Sequence, residues 1–177
     1  MGIPTLISTA TPSNASSVDI TSGIDSTYDE YMFVFSLHND TNDNVLWFQF
    51  NASGGSGFNE TITSTFFQTN HNESGGTPGF AYNTGGDQAQ GTAYQYITHS
   101  NDSSADAISS GVLHLFNPSN TTYVKHFYGR SVIQTNTPYA GETNFAGYIN
   151  TTSAIDEISF APSNGTFDGF VQMYGIS

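Results

Sequence analysis

The chain has 177 residues, no cysteine, and 15 acids against 2 bases, for a formal net charge of −13. That length allows one domain with a full hydrophobic core, and the missing cysteines exclude a disulfide framework and any thiolate metal site. Two basic residues are too few to neutralise a nucleic-acid backbone or to hold an anionic membrane surface, so neither nucleic acid nor membrane is expected as a partner.

Aromatic residues make up 14% of the chain, mainly 14 Phe and 10 Tyr. Rings and β-branched Thr suit half-buried, pleated strands, while the Ala-, Leu-, Glu- and Lys-rich runs of stable helices are missing. Residues 1–22 open with an apolar patch from Ile3 to Ile7 and continue as a Ser/Thr/Pro stretch. This reads as an N-terminal arm with one strand, outside a single β-sandwich domain spanning 23–177. Ile3, Leu6 and Ile7 are its candidate partner contacts, because a stretch so poor in large side chains gains order by meeting a neighbour. The first residues lack a basic n-region and a long apolar core, which argues against a signal peptide. No run approaches the ~18 apolar residues of a membrane-spanning helix.

Tyr31 to His38 alternates Tyr31, Phe33, Phe35 and Leu37 against Met32, Val34 and Ser36, a pattern expected of a central strand. Asn39 to Asn44 reads as a turn and Val45 to Phe50 as the returning strand of a hairpin. Thr61 to Gln68 is a strand, and Thr69 to Gln90, with glycine pairs at 75–76 and 85–86, reads as a long loop of the kind that carries function. Ala93 to Thr98 is a short strand. Ser109 to Ile133 is the clearest hairpin: two alternating arms around Asn117-Pro118-Ser119-Asn120, with both basic residues, Lys125 and Arg130, on the second arm. Strands are further expected over 144–150, 155–160 and 167–176, the last with Val171 and Met173 on one face and Phe170, Tyr174 and Ile176 on the other. Eight to ten strands joined by Gly, Asn and Pro turns predict an all-β fold, an antiparallel two-sheet sandwich of jelly-roll type.

No catalytic pattern emerges. Asp40 to Asn44 starts like a calcium loop, but the sixth and twelfth positions, Val45 and Asn51, lack the required Gly and Glu, so a self-capping turn is expected there. Asp156 and Glu157 are adjacent, which on a regular strand sends them to opposite faces. The five histidines form no metal motif; His114 and His126, on the two arms of the 109–133 hairpin, read as cross-strand neighbours that pack. Gly54 to Phe58 misses the nucleophile-elbow pattern at its last position. No enzymatic activity, cofactor or metal is therefore expected. Nine Asn-x-Ser/Thr triplets are read as a by-product of composition, without glycans. Exposed Tyr or Trp are the remaining chemical asset, suited to stacking on sugars or anchoring protein contacts.

Four stretches, SGFNETITSTFFQ at 56–68, GDQAQGTAYQ at 86–95, LHLFNPSNTTYVKHFY at 113–128 and GYINTTSAIDEISFAPSNGTFDGFVQMYGI at 147–176, resemble small virion structural proteins of tailed bacteriophages of marine bacteria. The resemblance implies a virion protein made in the host cytoplasm, and it supplies no catalytic residues. The expected role is a capsid decoration or head-fibre subunit. Its partners would be other virion proteins and further copies of itself, with a trimer suiting local threefold points. The alternative is a carbohydrate- or receptor-binding module of a tail fibre, for which the 69–90 loop is the natural place to look for a pocket.

Overall fold

A computed structural model describes residues 2–76, 78–135 and 139–177, and its regular structure is entirely β. The strands in chain order are β1 (Thr5–Ala10), β2 (Val18–Ile20), β3 (Glu30–Asn39), β4 (Leu46–Ala52), β5 (Ile62–Asn72), β6 (Gly79–Tyr82), β7 (Ala89–Gly91), β8 (Gln95–Tyr96), β9 (Ser109–Phe116), β10 (Lys125–Gln134), β11 (Tyr139–Ile149), β12 (Ile155–Pro162) and β13 (Phe167–Ile176). Nine strands form one sheet in the order β1-β13-β3-β9-β10-β11-β5-β6, with β7 also on β5; four form the other, β2-β12-β4-β8. Every pairing is antiparallel, as expected. The nesting β3·β13, β4·β12, β5·β11 around the central β9–β10 hairpin rolls one long two-stranded ribbon over both sheets, and this gives the jelly-roll character.

Alternation decides what is inside. Tyr31, Phe33, Phe35 and Leu37 of β3, Leu113 and Leu115 of β9, Phe127 of β10 and Val171 and Met173 of β13 all point from the large sheet onto the small one and are buried. Phe48 and Phe50 of β4 and Ile158 and Phe160 of β12 answer them, in a single core cluster. Both Ile155 and Ile158 reach this core because a bulge in β12 shifts the register between Ile155 and Glu157.

The structure corrects several expectations. Val45 to Phe50 does not return against Tyr31 to His38: β3 lies in the large sheet and β4 in the small one. Each strand carries a large apolar face, and placing them in opposite sheets buries both faces against each other, which a hairpin would not do. The connecting turn caps itself only at Asn44, while Asp40 and Asn42 bond to distant segments. Its Asp40, Asn42 and Asn44 side chains accept hydrogen bonds from Thr166, Ser103 and Val45 amides respectively. The stretch 1–22 is not an arm outside the sandwich, since β1 pairs with β13 and β2 with β12, one in each sheet. Residues 69–90 are not one loop. β5 runs on to Asn72, β6 returns against it, and β7 also pairs with it.

The second arm of the 109–133 hairpin starts only at Lys125, so Asn117 to Val124 forms a longer connection than a tight turn. Its register sets His114 opposite Tyr128, and His126 pairs instead across to Tyr148. The two histidines are diagonal, not opposed. Three triplet asparagines, Asn39, Asn51 and Asn101, are buried, so this fold leaves them no room for a glycan.

Candidate interaction face

The outward side of the nine-stranded sheet is the feature that composition could not locate. No outward-pointing residue of β3, β9, β10 or β13 is buried, while their inward neighbours other than Gly111 and Gly169 are. Within β10 the contrast is complete: His126, Tyr128, Arg130 and Val132 are exposed and Lys125, Phe127, Gly129 and Ser131 are buried. Cross-strand register runs these side chains into rows. One row crosses seven strands as Leu6, Tyr174, Met32, His114, Tyr128, Ala146 and Thr65.

The rings on this face are organised. His114 stacks on Tyr128 at 4.7 Å between centroids, and Phe116 stacks on Tyr128 at 5.6 Å. Towards the β6 edge, Phe67 stacks on Phe80 at 6.0 Å and meets Tyr82 edge-on at 5.1 Å. Phe80 is 74% exposed, a large apolar ring held in place yet open to solvent. Between Phe67 and Tyr128 the small residues Gly129 and Ala146 floor a shallow groove of about 280 Å³. Gly129 is required there because a Cβ would stand 2.6 Å from the Val112 carbonyl oxygen and 2.4 Å from the Phe145 ring.

The face is also poor in acids. Only three of the fifteen acids sit on strands of the large sheet: Glu30, Glu142 and Asp168. Glu30 pairs with His114, Arg130 Nη2 lies 3.3 Å from Glu142 Oε1, and Asp168 accepts the Asn14 amide hydrogen. The other twelve acids lie in loops or on the small sheet.

Of the three residues expected to contact a partner, Ile3 precedes β1 and is 89% exposed, and Leu6 opens onto the outward face opposite Tyr174. Ile7 sits in the β1 bulge and packs against the core. The structure therefore brings Leu6 to the aromatic face and takes Ile7 away from it. Tyr128, Phe80, Tyr82 and Val132 were missed. The period-2 pattern of KHFYGRSVIQ marks Tyr128 and Val132 as sharing a face, but nothing local says that this face is uncovered.

A second concavity lies on the opposite side of the large sheet, where β5 and β11 overrun the small one. Gln68, Asn70, His99, Tyr139 and Thr143 help line a pocket of about 220 Å³. Among the described residues no group of three or more His, Asp or Glu could hold a metal ion.

No family model and no curated protein matches the sequence. Solved structures with a similar build include galectin LEC-6 from Caenorhabditis elegans, at 12% identity and a TM-score of 0.38, matching 94% of this chain and 95% of that one. Exo-inulinase from Aspergillus awamori matches at 10% identity and a TM-score of 0.36, with this chain spanning 29% of its length. The VP2 subviral particle of infectious bursal disease virus matches at 9% identity and a TM-score of 0.16, over 99% of this chain and 37% of that one. At these values none of the three says what this chain binds. What the chain itself presents is a β-sandwich with one open, ring-bearing sheet face, the make-up of a binding module.

Proposed function

We propose that this chain is a non-enzymatic structural protein of a virion, a capsid decoration or head-fibre subunit of a tailed bacteriophage, and that it associates with its neighbours through the outward face of the nine-stranded sheet. The observation that carries the reading is that face. Monomeric proteins expose large apolar side chains singly, and an ordered array of them with paired charges marks a contact surface. Among the described residues, five of the eight exposed large hydrophobics, Leu6, Phe80, Tyr82, Tyr128 and Val132, lie on it. The resemblance to virion proteins supplies the setting, and the acidic remainder suits a surface turned to the medium, where like charge keeps particles apart. Mass spectrometry of purified particles tests the setting. Copies in the hundreds per particle fit a decoration, a handful fit a fibre, and absence from the particle overturns the reading.

The second reading, a carbohydrate- or receptor-binding module, has one observation in its favour: the pocket beside Tyr139 combines a ring with amide, imidazole and hydroxyl groups. At about 220 Å³ it falls below the usual ~300–1,000 Å³ of ligand sites, so it would admit little more than one sugar ring. A glycan array on the wild-type chain and on Tyr139→Ala separates the two. Specific binding lost in the variant would favour this reading over the first.

A further inference from the structure

We infer that the occupant of the open sheet face is a second copy of this chain, packed face to face about a twofold axis; the inference rests on the structural-protein reading and deepens it. Three observations point to a like partner.

The first is charge. Two copies with a formal net charge of −13 each repel wherever their acids meet. On the large-sheet strands the three acids are each already engaged, Glu30 by His114, Glu142 by Arg130 and Asp168 by the Asn14 amide. Loops and the small sheet carry the remaining twelve. This is the broad surface on which approaching copies set the fewest carboxylates against each other.

The second is area. Eight strands spaced by about 4.8 Å, with the central ones about ten residues long, present on the order of 1,000 Å². A stable interface of ordinary size takes about 800 Å² from each partner. The face is therefore large enough for a dimer without recruiting any loop.

The third is shape. The Tyr128 ring, 47% exposed, forms one wall of the groove floored by Gly129 and Ala146. An exposed ring beside a recess of about 280 Å³ is the self-complementary arrangement an isologous contact needs, each copy's ring entering the other's recess. Such pairing closes at two copies. A trimer would need two different patches on each copy, and the face is one continuous patch.

The test is sedimentation equilibrium of the full chain at micromolar concentration and moderate salt. Wild type is expected as a dimer. Val132→Asp sets one carboxylate per copy into the middle of the contact from a position 51% exposed in the monomer. It is expected to weaken association at least tenfold while leaving the circular dichroism spectrum of the monomer unchanged, with a small drop in melting temperature because Glu142 lies directly opposite. Ser56→Asp, an exposed site in the loop between β4 and β5, is expected to dimerise like wild type. A wild-type monomer at all concentrations, a closed trimer, or a dimer indifferent to Val132→Asp each overturns the inference. None of these touches the virion reading, which stands or falls on presence in the particle.

Discussion

Phe48 of β4 and Phe127 of β10 meet edge to face across the two sheets, with ring centroids 5.3 Å apart and planes at 88°. Phe48 also contacts Phe50, Phe145 and Phe160 at 5.2, 5.9 and 6.5 Å. It is one of the rings through which the two layers of the sandwich touch, and it is fully buried. Removing it loses the transfer energy of the ring and leaves a cavity that flat sheets cannot close. Phe48→Ala should cost about 3–5 kcal/mol in urea unfolding, and Phe48→Leu distinctly less. A loss under ~1 kcal/mol for the alanine variant would show that the sheets do not pack as described.

Gly169 of β13 adopts φ +127°, and a Cβ there would stand 2.1 Å from the Ser36 carbonyl oxygen. Its own amide donates to the Pro12 carbonyl at 3.1 Å, which ties the β1–β2 connection down. Any other residue meets both a forbidden backbone region and an immovable neighbour. Gly169→Ala is expected to cost more than the ~1–3 kcal/mol of backbone strain alone. Limited proteolysis should cut it first within residues 11–17. A variant as stable and as resistant as wild type contradicts this.

These two positions also show where sequence reading succeeds and where it stops. Alternation set Val171 and Met173 on one face and Phe170, Tyr174 and Ile176 on the other, because side-chain direction in a strand follows directly from period 2, and the structure buries the first pair. It also set Tyr31, Phe33, Phe35 and Leu37 on one face, which the structure buries. Pairing is a different matter. β3 pairs with β13 and β9, and β4 with β12 and β8, all far along the chain, and no local signal distinguishes a returning hairpin from a corner that changes sheets. The same limit hid the interaction face. Tyr128 and Val132 look like core residues in the sequence, and Lys125 looks like a surface one. Only the layering of four strands on nine decides that Lys125 faces in and Tyr128 faces out. Leu6 and Ile7 are neighbours in an apolar patch, and the alternation of a strand sends them to different environments.

Asp40 links the β3–β4 corner to the β12–β13 turn. The Thr166 hydroxyl and amide, with help from Thr41, hold its carboxyl below the ordinary aspartate range. A carboxylate with a lowered folded-state pKa contributes stability that is complete above the unfolded value of about 3.9. That contribution fades as pH falls from there through the folded value. Asp40→Asn should therefore lower Tm at pH 7 and lose less than wild type on acidification to pH 3. Parallel Tm-against-pH curves for the two proteins would refute the role. Asp25, lowered by Thr27 and Tyr31, titrates in the same direction and is common to both proteins, so it cancels in the comparison.

The last prediction concerns Lys125, the chain's only lysine, whose side chain is fully buried at the start of β10. Its Nζ donates to the Thr151 carbonyl at 3.3 Å, and Glu60 is the acid that acts on it electrostatically. Burial lowers its pKa, and Glu60 only partly opposes this. A lysine with a depressed folded-state pKa binds fewer protons folded than unfolded between the two values. Folding stability from this group therefore rises as pH climbs from the folded value towards the unfolded ~10.4, and below the folded value the cost of burying the charge is borne in full. Methionine matches the stem in length and carries no charge to desolvate, and Glu60, half-exposed and accepting the Ala52 amide hydrogen, keeps solvent and a donor. Lys125→Met should stabilise the fold at pH 7 by about 1 kcal/mol or more, with the advantage shrinking towards pH 10. Tyr31, whose pKa burial raises, loses stability over the same alkaline range. It is present in both proteins, so the difference between their urea-unfolding free energies isolates the lysine. A difference that stays constant from pH 7 to pH 10, or a variant less stable than wild type at pH 7, would mean that the charge is solvated and that the Nζ–Thr151 contact is a net asset to the fold.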